Sequence, residues 1–435
     1  MNNAKNTDIS NRAEVVRYWE DFLVKYLDVC NKDEYDAITN PNGFINLGTA
    51  VNNMCHDIIL PRLTSAKIWL CDPDFLQYKE GHGILKLREA LAAIMTEFLE
   101  PHESIDHENL ICLIGATACI DLLAHCLADP GDVILAPTPI YGRIYTDFKQ
   151  RSEVNLWPIP IITKDNTEPS PILTIEKVKK AYNDAISKGH VVKALFLINP
   201  SNPLGDVYSP ELLLDIFSFC NEHNLHVIID EVYALSTFNG SPQFHSALKF
   251  PDLDKNKVHV VYGISKDFGI AGLRVGVIHT QNKTLQNCLK QLSFFQCIPF
   301  PAMDITTRFL KDIEWCKSYL TINKRRLTEK FKFCVDYMKK MGLNVRESAG
   351  GFFLWVDFRP ICGSDTFEQE QDFFLYLIEK AHLYIVPGKE LFCEQPGWFR
   401  FTFTCKPDHV GEGLKRLEKA IISYQQKKKL SCKYF

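Results

Sequence analysis

The sequence predicts an α/β protein, with a large domain around a mostly parallel central sheet and a smaller α+β domain after it. Three observations point that way. Short apolar runs without polar alternation recur across roughly residues 60–300, as strands buried on both faces do. Stretches of helical periodicity lie between several of them. After about residue 309 the chain turns to long, charged helical stretches interleaved with short strands.

Residues 1–59 form an N-terminal segment. Its helix, near Ala13–Tyr26, is expected to pack with the smaller domain. Leu110–Ala128 is apolar enough to be weighed as a membrane span, but Asp121 and His125 inside it would be costly in hydrocarbon. It reads better as a strand Leu110–Ile114, a turn Gly115-Ala116-Thr117 and a helix Ala118–Leu127, closed by Asp129-Pro130-Gly131-Asp132. Further strands are predicted at Val133–Ala136, Lys193–Ile198, His226–Ile229 and Val258–Tyr262, and helices at Ile175–Ser187 and Pro210–Asn221. These belong to the large domain, residues 60–308.

The smaller domain takes residues 309–435. It opens with the charged helical stretch Phe309–Met341, whose Lys324-Arg325-Arg326 run marks a wet face. A strand Phe352–Phe358 follows Gly350-Gly351, then a helix Gln371–Ala381, a strand Trp398–Thr404 and a helix Pro407–Gln426. The run Lys427-Lys428-Lys429 is expected to be the helix end and tail.

Composition narrows the function. With 49 basic and 53 acidic side chains the net charge is -4, so neither nucleic acid nor an anionic membrane is an expected partner. The 15 cysteines are odd in number and none stands in a CxxC, which disfavours zinc ribbons and dithiol redox motifs. The start, MNNAKNTDISNR, is polar, and a reducing cytoplasmic setting is expected. His223 with His226, and His102 with His107, lack a convincing third ligand, so no metal is expected.

Four local patterns carry chemistry. In Ser265-Lys266-Asp267-Phe268-Gly269 a lysine directly follows an apolar strand, with Gly272-Leu273-Arg274-Val275-Gly276 just after. Burial and the nearby Arg274 cation would both make the Lys266 amine easier to deprotonate, as a Schiff-base lysine requires. Alone, it could equally be a surface lysine at a strand end. Asp230-Glu231-Val232-Tyr233 ends the strand His226–Ile229. Acidic groups at the carboxyl ends of parallel strands sit where α/β proteins bind ligands, although a helix-capping Asp looks the same. Asn199-Pro200-Ser201-Asn202-Pro203-Leu204-Gly205 is a polar turn whose Asn202 could donate to a ligand oxygen. Gly115-Ala116-Thr117 opens a helix whose free N–H groups suit a phosphate.

The order of the four, phosphate turn, Asn, Asp and Tyr, then Lys and Arg, resembles the fold type I pyridoxal-phosphate enzymes, the class I/II aminotransferase superfamily. The resemblance runs from about Asn46 to Leu417. Within that superfamily it is similar to the 1-aminocyclopropane-1-carboxylate synthase-like branch. Ile45-Asn46-Leu47-Gly48, Pro137-Thr138-Pro139-Ile140-Tyr141 and Pro396-Gly397-Trp398-Phe399-Arg400 carry the likeness, beside the turns already quoted.

The resemblance implies pyridoxal 5'-phosphate as cofactor. Lys266 would form the Schiff base and later shuttle the α-proton, and Asp230 would pair with the pyridinium nitrogen. Asn202 and Tyr233 would hydrogen-bond the ring oxygen, and Tyr141 would stack on the ring. Ala116, Thr117 and Arg274, helped by Ser265, would hold the phosphate. Arg400 would clamp the substrate carboxylate. Tyr78, before the Gly83…Leu87-Arg88 phrase, would reach the phosphate bound in the partner of a homodimer. Plant synthases have a glutamate facing the sulfonium of S-adenosylmethionine where this chain has Val51, beside the substrate.

The expected activity is therefore transamination between an α-amino acid and a keto acid. A synthase or γ-carbon lyase acting on S-adenosylmethionine is the second reading. A binding protein that keeps the fold without turnover is the third.

Overall fold

The computed structural model describes residues 8–431 except 71, 72, 166, 167, 169 and 364. Its centre is a seven-stranded sheet. The strands run in the order Leu110–Leu113, Gly276–His279, Val258–Gly263, His226–Asp230, Val192–Ile198, Val133–Thr138 and Asn155–Pro160. Gly276–His279 is antiparallel to both its neighbours, and every other pair is parallel. Apart from the edge strand Asn155–Pro160 the sheet is largely buried on both faces, which is why most of its strands read as apolar runs.

Two of these strands were not visible as runs in the sequence. Asn155–Pro160 carries Pro158 and Pro160 and lies at the sheet edge, where a missing N–H costs no ladder bond. Gly276–His279 is only four residues long and starts on a glycine. The apparent membrane stretch resolves into the strand Leu110–Leu113 and the helix Ala116–Leu127. No described helix is long and apolar enough to cross a membrane.

Helices cover the sheet. Ala116–Leu127 buries Ala118, Ile120, Leu122 and Leu123, and Pro210–Glu222 buries Leu213, Ile216 and Phe217. Each such large apolar side chain contributes about 1.5–3 kcal/mol relative to exposure. Ser209 caps Pro210–Glu222, its hydroxyl accepting from the Leu212 N–H, and Thr174 caps Ile175–Ser187 in the same way.

The second sheet is antiparallel and has four strands, Val386–Pro387, Trp398–Thr402, Phe353–Asp357 and Asn344–Val345. The 28-residue helix Ile313–Lys340 leads into it. That helix is separate from Phe300–Leu310, because Asp312 breaks the helical stretch and caps the new helix through the Trp315 N–H. The final helix, Pro407–Ser431, runs through the lysine run instead of ending before it. Lys428 Nζ donates to the carbonyls of Ile361 and Cys362, which ties the run to the fold.

The expected single N-terminal helix is two, Asn11–Arg17 and Phe22–Lys32, because the Asp21 carboxylate caps the second at the Val24 N–H. Phe22 and Tyr26 pack on Phe374, with ring centroids 5.2 and 4.8 Å away. Ile45–Asn46 then pairs in parallel with Leu383–Tyr384 beside the second sheet. The segment also grips the central-sheet side, through Asp21 to Arg143 and Trp19 Nε1 to Thr146 Oγ1.

Candidate active site

The carboxyl ends of the parallel strands gather the residues expected to carry chemistry, as open α/β sheets dictate. His226–Asp230 ends on Asp230, whose backbone carbonyl accepts from the Asn199 N–H and whose carboxylate accepts from the Val232 N–H at 3.1 Å. The neighbouring strand Val258–Gly263 runs directly into the short helix Ile264–Asp267, which presents Lys266.

Asp267 anchors that helix. Its buried carboxylate accepts from Ser236 Oγ at 2.6 Å and from the Leu235 N–H, and the Tyr319 hydroxyl donates to its carbonyl. Lys266 is thereby aimed across the site, where Nζ donates to the Ala50 carbonyl at 2.6 Å. Burial, chiefly, and the Arg400 and Arg274 cations lower its pKa to about 8, against an opposing pull from Asp230. Burial raises the Asp230 carboxyl to about 7, opposed by the Val232 N–H and by Lys266.

Arg400 is 2% exposed in the strand Trp398–Thr402. One guanidinium nitrogen donates to Asn202 Oδ1 at 2.9 Å and another to the Gly48 carbonyl. The guanidinium lies over the Phe353 ring at 4.7 Å. Its Nε has no partner, and no carboxylate among the described residues pairs with it. Burial pulls the Arg400 pKa below the ordinary guanidinium value. A buried cation without an anion is costly, so the arrangement holds a place for one.

At the other end, Gly115 precedes the helix Ala116–Leu127 with φ 95°, a conformation that suits glycine. No side chain caps this helix, so the N–H groups of Ala116 and Thr117 open its positive end. Arg274 folds over the turn: Nη2 donates to the Ile114 carbonyl at 3.2 Å, and a Cβ on Gly115 would collide with its guanidinium. Gly276 is equally constrained, since a Cβ there would strike the Gly115 backbone.

Tyr233 is 3% exposed and packs edge-on against Phe352 and Phe353. Burial raises its pKa, opposed mainly by Arg400. Tyr141 and Ser265 are half-buried. Tyr141 is close enough to Arg400 to feel its charge. Val51 is half-buried, with its carbonyl accepting from Thr404 Oγ1. Tyr78 is fully exposed.

Sequence reasoning missed several participants. The Gly48 and Ala50 carbonyls hold Arg400 and Lys266, and a backbone oxygen leaves no trace in residue type. Asn52 also escaped notice: it is buried, and its Nδ2 donates to the Lys266 carbonyl and to Asn323 Oδ1. The Asn52-Asn53 pair beside Val51 was a signal that could have found it.

Residues 43–417 match the family model described as aminotransferase class I and II. The chain belongs to the class I and II aminotransferases. This is a pyridoxal-phosphate-dependent family. The chain is 34% identical over 423 residues to the mouse 1-aminocyclopropane-1-carboxylate synthase-like protein 1, covering 96% of this chain and 84% of the relative. It is 35% identical over 402 residues to a mouse protein named "Probable inactive 1-aminocyclopropane-1-carboxylate synthase-like protein 2", covering 91% and 69%. Among solved structures, the fold is similar to the aromatic aminotransferase of Pyrococcus horikoshii OT3, with TM-score 0.75, 21% identity, and coverage of 92% of this chain and 99% of that one.

Proposed function

We propose that this member of the family is an aminotransferase that moves the amino group of an α-amino acid to a keto acid. The observation that carries this reading is Arg400, a buried guanidinium with a free Nε and no carboxylate partner among the described residues. It is suited to take a carboxylate with bidentate geometry, while Asn202 and the Gly48 carbonyl hold it in place.

The residues present fit pyridoxal phosphate. The uncapped helix start at Ala116 and Thr117, with Arg274 folded over it, suits the phosphate. Lys266 and Asp230 are near enough to sense each other's charge, an amine and a carboxyl each shifted by burial toward its neutral form. When bound, the group supplies a carbonyl carbon that condenses with amines and a ring that draws electrons from the adjacent carbon.

The chain's own residues do the rest. Lys266, with its pKa near 8, holds an appreciable neutral fraction at pH 7 and can attack a carbonyl or take a proton at Nζ. Asp230 is placed to keep a ring nitrogen protonated, and its burial makes the charge pair strong. Tyr233 and Asn202 supply a hydroxyl and an amide for a ring oxygen, and Tyr141 a ring face. Arg400 orients the substrate so that its α-proton meets Nζ of Lys266.

Val51 brings no negative charge to the site, which disfavours a sulfonium substrate. The non-catalytic reading has one observation in its favour, the relative named as inactive. Lys266, Asp230, Tyr233 and Arg400 are all present here and brought to one place, which favours turnover.

The assembly we propose is a homodimer, with Tyr78 acting across the interface. Trp69, Leu76, Tyr78, Phe294 and Phe295 are all at least 66% exposed. The segment holding the two phenylalanines adjoins the phosphate end, since the Gln296 carbonyl accepts from the Ile114 N–H. An apolar surface of this kind is a candidate for burial by a second copy.

The test is visible absorbance of the purified protein with added pyridoxal phosphate, titrated with a panel of amino acids and S-adenosylmethionine. Loss of the cofactor band with one amino acid, restored by a keto acid, supports transamination. A response confined to S-adenosylmethionine overturns it in favour of the lyase reading, and no cofactor band at all overturns it in favour of a binding protein.

A further inference from the structure

Outside the site lies a cleft of about 840 Å³ between the Asn202 loop and the second sheet's Asn344–Val345 edge. Its walls are apolar, from Leu173, Ile175, Val207, Leu212, Phe331 and Val335. Below them sits the ion pair of Arg346 with Asp206, at 2.6 and 3.1 Å, in which the two charges satisfy each other. Tyr208 also lines the cleft. It is 5% exposed, and its hydroxyl has no hydrogen-bond partner among the described residues.

The rim is acidic. Glu176, Asp215 and Glu347 stand against Lys339. All four are exposed, and none is in an ion pair among the described residues. The volume suits a small molecule, the walls would bury an apolar body, and three carboxylates against one ammonium favour a cation. The Tyr208 hydroxyl can accept a hydrogen bond from such a cation.

The cleft touches the loop that serves Arg400. Asp206, in its lining, closes that loop through its N–H to Ser201 Oγ at 2.9 Å and its carbonyl from the Ser201 N–H at 2.8 Å. Ala349, also in the lining, donates its N–H to the Gly205 carbonyl. Asn202, which accepts from Arg400, lies inside the closed loop.

We propose that this cleft is a second ligand site. It takes a small apolar molecule bearing one protonated amine, and its occupant acts on the Asn202 loop. The binding half stands on the cleft alone, and the coupling half rests on the aminotransferase reading.

The experiment is calorimetric titration of the holoenzyme with N,N-dimethyl-2-phenylethylamine, a tertiary amine that cannot condense with the cofactor as primary amines do. One saturable site is expected, with no binding of the anion 3-phenylpropionate. Asp215→Asn and Glu347→Gln should each weaken binding by about two- to fivefold. Val335→Trp, which fills the cleft, should abolish it. The two rim positions are exposed, so those variants keep the test valid even if the tryptophan variant misfolds. Absent or unsaturable binding overturns the site, as does affinity unchanged in the rim variants. For the coupling, the bound amine should change KM for the amino acid in the parent enzyme and leave Val335→Trp unaffected. Saturable binding with unaltered KM and kcat overturns the coupling while leaving the site intact.

Discussion

Arg400→Lys separates the proposed clamp from every other part of the site. The parent guanidinium is fixed by Asn202 and the Gly48 carbonyl and keeps Nε free. Lysine keeps the charge but loses the planar fork, so an incoming carboxylate meets one point charge in place of two parallel N–H donors. Losing one hydrogen bond to a charged group costs about 1.5–3 kcal/mol, or roughly 10- to 150-fold in kcat/KM. The assay is steady-state turnover of an amino acid beside the amine that lacks its carboxylate, with cofactor absorbance as a check on folding. The amino acid should lose that factor, while the amine, which never used the clamp, should change by less than about threefold. Equal losses on both substrates, or kcat/KM for the amino acid within twofold of the parent, would refute the assignment of Arg400.

The other predictions concern the amine, the phosphate end and the floor of the sheet. Lys266→Ala should lower turnover by about a thousandfold or more, since proton transfer alone accounts for 10²–10⁴; retained activity on amino acids would sink the mechanism. In cofactor-free protein, uptake of pyridoxal phosphate should rise about tenfold per pH unit below pH 8 and level off above it, because the neutral fraction of Lys266 sets the rate; stopped-flow absorbance reads this. Gly115→Ala combines a left-handed backbone with a clash against Arg274, and equilibrium dialysis should show cofactor affinity lower by roughly tenfold. His279 is buried, and burial lowers its pKa to about 4, opposed by Asp106. Its stabilisation is complete above the unfolded value of about 6.5 and is lost as pH falls from there toward 4, about 1.4 kcal/mol by pH 5.5. Urea midpoints at pH 7.5 and 5.5 should therefore differ less in His279→Gln than in the parent.

Much of this architecture was legible because the buried strands announce themselves. Ala194–Ile198 and Val227–Ile229 are unbroken apolar runs, and the residue just past each carries polar chemistry, Asn199 and Asp230. Lys266 was legible for the same reason, as the first charged residue after the strand Val258–Gly263. The strand Asn155–Pro160 was not, because an edge strand tolerates prolines that elsewhere exclude a strand. The helix break at Tyr18–Asp21 was hidden because Asp21 both caps a helix and pairs with Arg143, and the second role depends on a residue 122 positions away. The carbonyl of Gly48 meets Arg400 across 352 positions and that of Ala50 meets Lys266 across 216. Neither contact depends on a side chain that a sequence displays.

Those two carbonyls lie two residues apart on one bend of backbone, which the Asn46 side chain closes by accepting from the Gly48 and Thr49 N–H groups. The same short piece of chain therefore fixes both Lys266 Nζ and the Arg400 guanidinium, although one comes from the central sheet and the other from the second sheet. On the proposed reading it would serve as a gauge: the span between the two ends of a substrate would be set by a single stretch of peptide. A β-amino acid, one bond longer between its nitrogen and its carboxylate, would fail to match that gauge even in a cleft wide enough to admit it.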